Sequence, residues 1–274
     1  MGTKAECLKA GAKESEILVT SGDLMEEKIR MELIDKTLEQ FGKLDILVGN
    51  HGGALVECKE DGSWNIDTFD PTFNQNTKRF SHFHLHFKVT FFDDQVHPFR
   101  RLSLQSLSAM KFLTLLLTFF IFSKPPQHIN GFYYCHCYML SVSCLVDLQV
   151  TWNPFYAMAK ISLCHLTRIL GFRLAKDGVR VNCIKPGIIV TPFYAKLGLT
   201  PESTDKMAKF HANHSIPMGR TGTWEEIAEP IAFLADRKAS GYMTGQSINV
   251  DGGITLQHAM STYSFDDIMK RTDL

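Results

Sequence analysis

The chain has 274 residues, with 29 basic and 29 acidic side chains, a formal net charge of +0 and 45% hydrophobic residues. That length supports a sizeable core in one large domain or two small ones, and the balanced charge removes the usual electrostatic case for nucleic acid or an anionic membrane as partner. Seven scattered cysteines do not make a secreted disulfide scaffold, and the polar start Met1-Gly-Thr-Lys-Ala-Glu is unlike a signal peptide. An intracellular, cytoplasmic protein is the expectation.

In chain order, Glu16-Ile-Leu-Val-Thr-Ser contains a short apolar run and reads as a strand. Asp23 then precedes a helical pattern with apolar positions at Ile29, Leu33, Ile34, Leu38 and Phe41. Most are spaced by three or four, which puts them on one face. Gly42-Lys43 closes that helix. Asp45-Ile-Leu-Val is a second short apolar run, suited to a parallel strand buried on both faces. Strand, helix and strand make a βαβ unit with a right-handed crossover.

Residues 154 to 256 continue in this style. Tyr156 to Ala175 reads as a helix with Leu163, Leu166, Leu170 and Leu174 on one face. Val179-Arg-Val-Asn-Cys-Ile reads as a strand that stops at Lys185-Pro186-Gly187. Thr223-Trp-Glu-Glu is a capping box opening a helix that carries Ile227, Ile231 and Leu234. Gly245-Gln-Ser-Ile-Asn-Val reads as a last strand, stopped by Asp251-Gly252-Gly253.

Residues 79 to 140 break the pattern. Six of the eleven histidines and eleven of the twenty phenylalanines fall there, with Pro125-Pro126 and no consistent period. Phe112 to Phe122 is apolar apart from two threonines, but its 11 residues fall short of the about 20 that a membrane-spanning helix needs. Cys135-His-Cys137 is a single close pair of potential ligands, whereas structural zinc uses two such groups at regular spacing, so no metal is expected.

The chemistry-bearing motif is Tyr156-Ala-Met-Ala-Lys160. Helix positions i and i+4 share a face, so the lysine ammonium can stand near the phenol. A neighbouring cation favours phenolate and makes a tyrosine usable as a general acid or base. Alone, the same spacing also describes an ordinary surface pair.

The motif does not stand alone. Upstream lie Gly22-Asp23-Leu24, Phe41 to Asn50 and Asn76. Downstream lie Val179 to Gly187, Thr191-Pro and Gly245 to Gly253. This ordered series resembles the short-chain dehydrogenase/reductase family over residues 5–78 and 141–256. The resemblance implies an α/β fold, a Rossmann-like doubly wound parallel sheet, in a single domain over residues 1–274. It also implies hydride transfer between a nicotinamide cofactor, NAD or NADP, and a small-molecule carbonyl or secondary alcohol. Tyr156 would handle the proton, and Lys160 would assist it and bond the nicotinamide ribose. Ser143, with Ser141 as fallback, would hold the substrate oxygen, and Asn76 would position a relay water. Asp23 and Asn50 would serve the adenosine side, and Pro186, Gly187, Ile189 and Thr191 the nicotinamide carboxamide. Thr191 also suits a helix cap.

The pattern departs from the family in three places. The family's first strand, glycine-rich phosphate turn, first helix and second strand are not among these residues. Residues 1–15 instead match the end of the family's second helix-bearing unit. The asparagine-rich turn reads Gly49-Asn50-His51-Gly52, with bulky His51 where backbone approaches the cofactor. Asn76 and Ser143 are 67 residues apart, although one helix and one strand need roughly 30. These departures keep open a second reading, a catalytically inactive relative serving as a binding or dimerising module. Self-association as a homo-oligomer stays open too, because the family's interface helix is not recognisable near residues 80–100. The tail from Gln257 to Leu274 has no assigned role.

Overall fold

The computed structural model describes residues 3–24, 26–42, 44–50, 52–53, 55, 57–59, 61–78, 134–139 and 153–257. Its centre is a parallel sheet of β1 (Ile46–Gly49), β2 (Tyr134–Met139), β3 (Val179–Pro186) and β4 (Ser247–Val250), side by side in that order. Val48 aligns with Cys137, Cys137 with Asn182, and Cys183 with Ser247. The described α-helices are α1 (Thr3–Lys9), α2 (Glu27–Phe41), α3 (Phe69–Phe73), α4 (Pro154–Ala175), α5 (Phe193–Lys196), α6 (Pro201–His214), α7 (Trp224–Ala235) and α8 (Arg237–Ser240).

Helices cover both faces of the sheet, and strand alternation decides which side chains meet them. Leu47, Val179, Val181 and Cys183 face one way and pack on Leu33 and Ile34 of α2 and on Leu163, Cys164 and Leu174 of α4. Ile46, Val48 and Ile184 face the other way and pack on Ile227, Ile231 and Leu234 of α7. This is the doubly wound arrangement expected of β strands alternating with helices.

The helix ends follow local chemistry. Gly42 ends α2 in the left-handed region at φ +71°, and its N–H donates to the Leu38 carbonyl at 2.7 Å. A residue with a Cβ is strained there. Thr223 and Glu226 form the capping box of α7, and Arg220 grips the Glu226 carboxylate through both nitrogens at 2.8 and 2.5 Å. That pairing holds Glu226 at about 2, well below the usual carboxylate range.

The strand expected at residues 16–21 is corrected, and the last strand, expected from Gly245, is shorter at its start. Residues 16–20 are not a strand: Glu14–Glu16 form a 3-10 turn and 17–20 are irregular. A strand needs a partner for its backbone groups. No described strand lies beside this one, and Val19 is 60% exposed. The helix after Asp23 starts at Glu27, with Glu26 in the N-cap position, and the last strand starts at Ser247.

The atypical stretch 79–140 ends in β2, which pairs on both sides and so supplies an inner strand of the sheet. Phe112 to Phe122 and residues 258–274 lie outside the described residues. Among the described residues no helix is long and apolar enough to cross a membrane.

Candidate active site

In a parallel sheet all strands run their carboxyl ends to one edge, and ligands of open α/β sheets bind outside that edge. Asn50 follows the end of β1, and Gly52 and Gly53 lie just beyond it. Pro186 ends β3, and the Gly187 N–H donates to the Val250 carbonyl at 2.9 Å. Ile189 pairs with Gly222 in an isolated parallel bridge. These sequence-predicted residues therefore share one edge.

Tyr156 and Lys160 lie in the first two turns of α4, at 7% and 4% exposure. Their i,i+4 spacing brings the Lys160 ammonium to 5.4 Å from the Tyr156 ring centroid. This is a buried pair, unlike the surface pair that the same spacing also permits. Asn76 is fully buried in the π turn Asn74–Lys78 that continues α3. Turns of that kind recur at functional sites. Its amide nitrogen donates to the carbonyls of Gly53 at 2.8 Å and Thr72 at 2.9 Å, and its oxygen accepts from the Gly53 N–H at 3.2 Å. One of its side-chain donors thus holds the turn after β1, and the other bonds back into α3.

Gly52 is where these groups converge. A Cβ on Gly52 would stand 2.8 Å from Asn76 Oδ1 and 2.8 Å from Lys160 Nζ. Only a glycine lets the backbone pass between them without displacing either. On Gly53 a Cβ would run into the Gln75 amide. Thr77 completes the join, donating to the Ala159 carbonyl at 2.8 Å and bonding the Ser162 hydroxyl at 3.2 Å.

The described hydrogen bonds of Asp23 and Thr191 are with their own loops. Asp23 is exposed in the loop before α2, where its carbonyl accepts from the Glu26 N–H at 2.9 Å. Thr191 is half-buried, and its carbonyl accepts from the Tyr194 N–H at 3.2 Å. Pro192 occupies the N-cap of α5, without a side-chain bond, so the hydroxyl cap expected of Thr191 is not made. Ser141, Ser143 and His51 lie outside the described residues. A cavity of about 330 Å³ adjoins Gly187, Ile189, Ile216, Arg220 and Asp251, and its walls do not include Tyr156 or Lys160.

One residue of the site was missed by the sequence reading. Glu57, 1% exposed, accepts from the N–H groups of Phe155 at 2.7 Å and Tyr156 at 2.9 Å, and from the Thr72 hydroxyl at 3.2 Å. Burial pushes its carboxyl above the usual range, and these hydrogen bonds pull the other way. Its two backbone partners lie about a hundred residues on, out of reach of any spacing rule. The only hint is an acid set in the apolar run Ala54-Leu-Val-Glu57-Cys58.

A doubly wound parallel sheet with a buried tyrosine–lysine pair at the carboxyl edge defines a Rossmann-type protein. Comparison with known proteins makes this specific. The family model described as enoyl-(acyl carrier protein) reductase matches residues 138–255. The 3-oxoacyl-[acyl-carrier-protein] reductase FabG of Thermotoga maritima is 30% identical over 232 residues, 82% of this chain and 72% of that protein. A short-chain type dehydrogenase/reductase of Acanthamoeba polyphaga mimivirus is 35% identical, over 40% of this chain and 36% of that protein. A crystal structure of a short-chain dehydrogenase/reductase from Caenorhabditis elegans is 28% identical, with a TM-score of 0.72 over 94% of this chain and 82% of that one. The chain belongs to the short-chain dehydrogenase/reductase family, a family of oxidoreductases.

Proposed function

We propose that this chain is an NAD- or NADP-dependent oxidoreductase that interconverts a carbonyl and a secondary alcohol, with Tyr156 as general acid and base. One observation carries the reading: Tyr156 and Lys160 are buried together, one helical turn apart, against the Asn76-clamped turn at the carboxyl edge of the sheet. A cation beside a phenol favours phenolate, and a dry site strengthens that effect. In reduction the Tyr156 phenol gives its proton to the substrate oxygen, and in oxidation it takes that proton back. Ser143 holds the substrate oxygen, and Asn76 belongs to the proton path.

The donor set suits the nicotinamide end of the cofactor. Lys160 and Tyr156 offer an ammonium and a hydroxyl to a ribose diol, and the backbone from Pro186 and Gly187 through Ile189 to Thr191 offers amides and carbonyls to a carboxamide. Asp23 and Asn50 serve the adenosine side. When bound, the cofactor supplies or accepts the hydride. Support comes from the Caenorhabditis elegans relative, whose crystal structure was determined with cofactor. The Thermotoga maritima relative's name makes a 3-oxoacyl thioester a reasonable first substrate to try.

The test is a fluorescence titration with NADH and with NADPH, followed by turnover of a 3-oxoacyl thioester and a ketosteroid. Saturable binding to either cofactor is expected. No binding at millimolar cofactor would sink the enzyme reading and leave the chain as a binding or dimerising module.

A further inference from the structure

The hydrogen bonds around Tyr156 close into a ring. Asn76 holds Gly53 and the Thr72 carbonyl. The Thr72 hydroxyl donates to Glu57, and Glu57 accepts the N–H groups of Phe155 and Tyr156. Two residues past Lys160, Ser162 meets Thr77, which also bonds Ala159. The segment from Gly53 to Glu57 is therefore pinned at both ends, to α3 and to α4.

Glu57 is the member that spans two elements with a full charge. The first N–H groups of a helix have no partner within it, and they favour an anion. The residue at the N-cap of α4 does not provide one, since the Asn153 side chain makes no cap hydrogen bond to the helix. With its amide nitrogen turned to the carboxylate, Asn153 instead donates to both Glu57 oxygens at 2.8 Å. Every described partner of the Glu57 carboxylate is a donor: two backbone amides, one hydroxyl and one side-chain amide. An ionised carboxylate satisfies all of them, and hydrogen bonds to an ionised group are about twice as strong as neutral ones.

We propose that Glu57 is a positioning residue for the reaction: its carboxylate clamps the first turn of α4 and fixes where Tyr156 and Lys160 stand relative to the Gly52–Gly53 turn. This rests on the function proposed above. Glu57 touches neither the phenol nor the ammonium in the contacts described. It acts through the backbone of Tyr156, and the loop that carries it is the same loop that passes between Lys160 and Asn76. Fixing the two ends of that loop sets the gap in which the ammonium sits.

The test uses Glu57→Gln, which keeps the volume and retains one acceptor but turns a donor toward donors. Thr72→Val is the milder second variant, removing one support of the carboxylate. Two readouts are taken on the full chain. The first is steady-state kinetics with NADPH and a 3-oxoacyl thioester. We expect kcat to fall roughly 10- to 100-fold in Glu57→Gln, as for a reacting group misplaced by about an ångström, with the substrate KM and the NADPH Kd within about threefold. Thr72→Val should show the same split at smaller size.

The second readout is amide exchange. Exchange at Phe155 and Tyr156 should quicken in both variants, while that of β3 and α7 stays at the wild-type rate. Uniform quickening across β3 and α7, with kcat per folded molecule unchanged, would show a merely structural role and overturn the proposal. Unchanged exchange at Phe155 and Tyr156 would also overturn it. If the wild type binds no cofactor, the enzyme reading has failed, and the exchange result alone decides whether Glu57 clamps α4.

Discussion

Replacing Gly52 by alanine perturbs the site by a single carbon. The new Cβ would stand 2.8 Å from both Asn76 Oδ1 and Lys160 Nζ, about 0.6 Å inside ordinary contact. Something must move. Asn76 is held by three hydrogen bonds, to Gly53 twice and to Thr72, whereas Lys160 is a flexible chain ending in its ammonium. The ammonium therefore yields first and retreats from its place beside Tyr156. A displacement approaching an ångström at a reacting centre costs up to about 100-fold, so kcat should fall roughly 10- to 100-fold. Overpacking of this kind also costs about 1–3 kcal/mol of stability. The assay pairs steady-state kinetics with a thermal melt. A Gly52→Ala variant with wild-type kcat and wild-type melting temperature would refute the reasoning, because the ammonium could not then be where the structure puts it.

Other outcomes follow from the described contacts. Glu226 is held down to about 2 by Arg220, against an ordinary value of 4.5. Its ionised form is favoured by folding, so its stabilisation is complete above about 4.5 and is lost as pH falls toward 2. Glu226→Gln should thus be less stable than the wild type at pH 7, with a gap that closes on acidification through that window. A gap constant from pH 7 to 2 in denaturant titrations would contradict this. The Cys183 thiol is pushed up by its hydrogen bond with Cys164 and then by burial, and thiolate is the reactive form. Iodoacetamide should leave Cys164 and Cys183 unmodified in the folded chain and label both in denaturant, as read by peptide mass. Labelling of either under native conditions would contradict it.

Much of this was legible in the sequence because it depends on near neighbours. The four-residue step from Ile34 to Leu38, with Leu33 beside them, corresponds to a face of α2 turned to the core, and Gly42 ends that helix. Thr223 and Glu226 cap α7 as their spacing requires. Tyr156 and Lys160 were legible as a pair, but not as a buried one, since periodicity does not say what covers a helix face. Where the answer depends on distant partners, local reading failed. Residues 16–20 have the composition of a strand but no described strand beside them. Glu57 finds two of its donors on a helix that starts nearly a hundred residues later. Thr191 has a capping side chain, but the turn after it is closed by its backbone carbonyl.

The central claim is that Tyr156 transfers the proton within a site that binds cofactor independently of its hydroxyl. Tyr156→Phe removes only that oxygen and leaves the ring packing beside Lys160. The decisive measurement compares this variant with the wild type for NADPH affinity by fluorescence and for turnover of a 3-oxoacyl thioester by absorbance. A loss of at least about 100-fold in kcat, as for a removed general acid, with Kd for NADPH within about threefold, is the predicted result. Turnover by the variant at the wild-type rate would contradict the account.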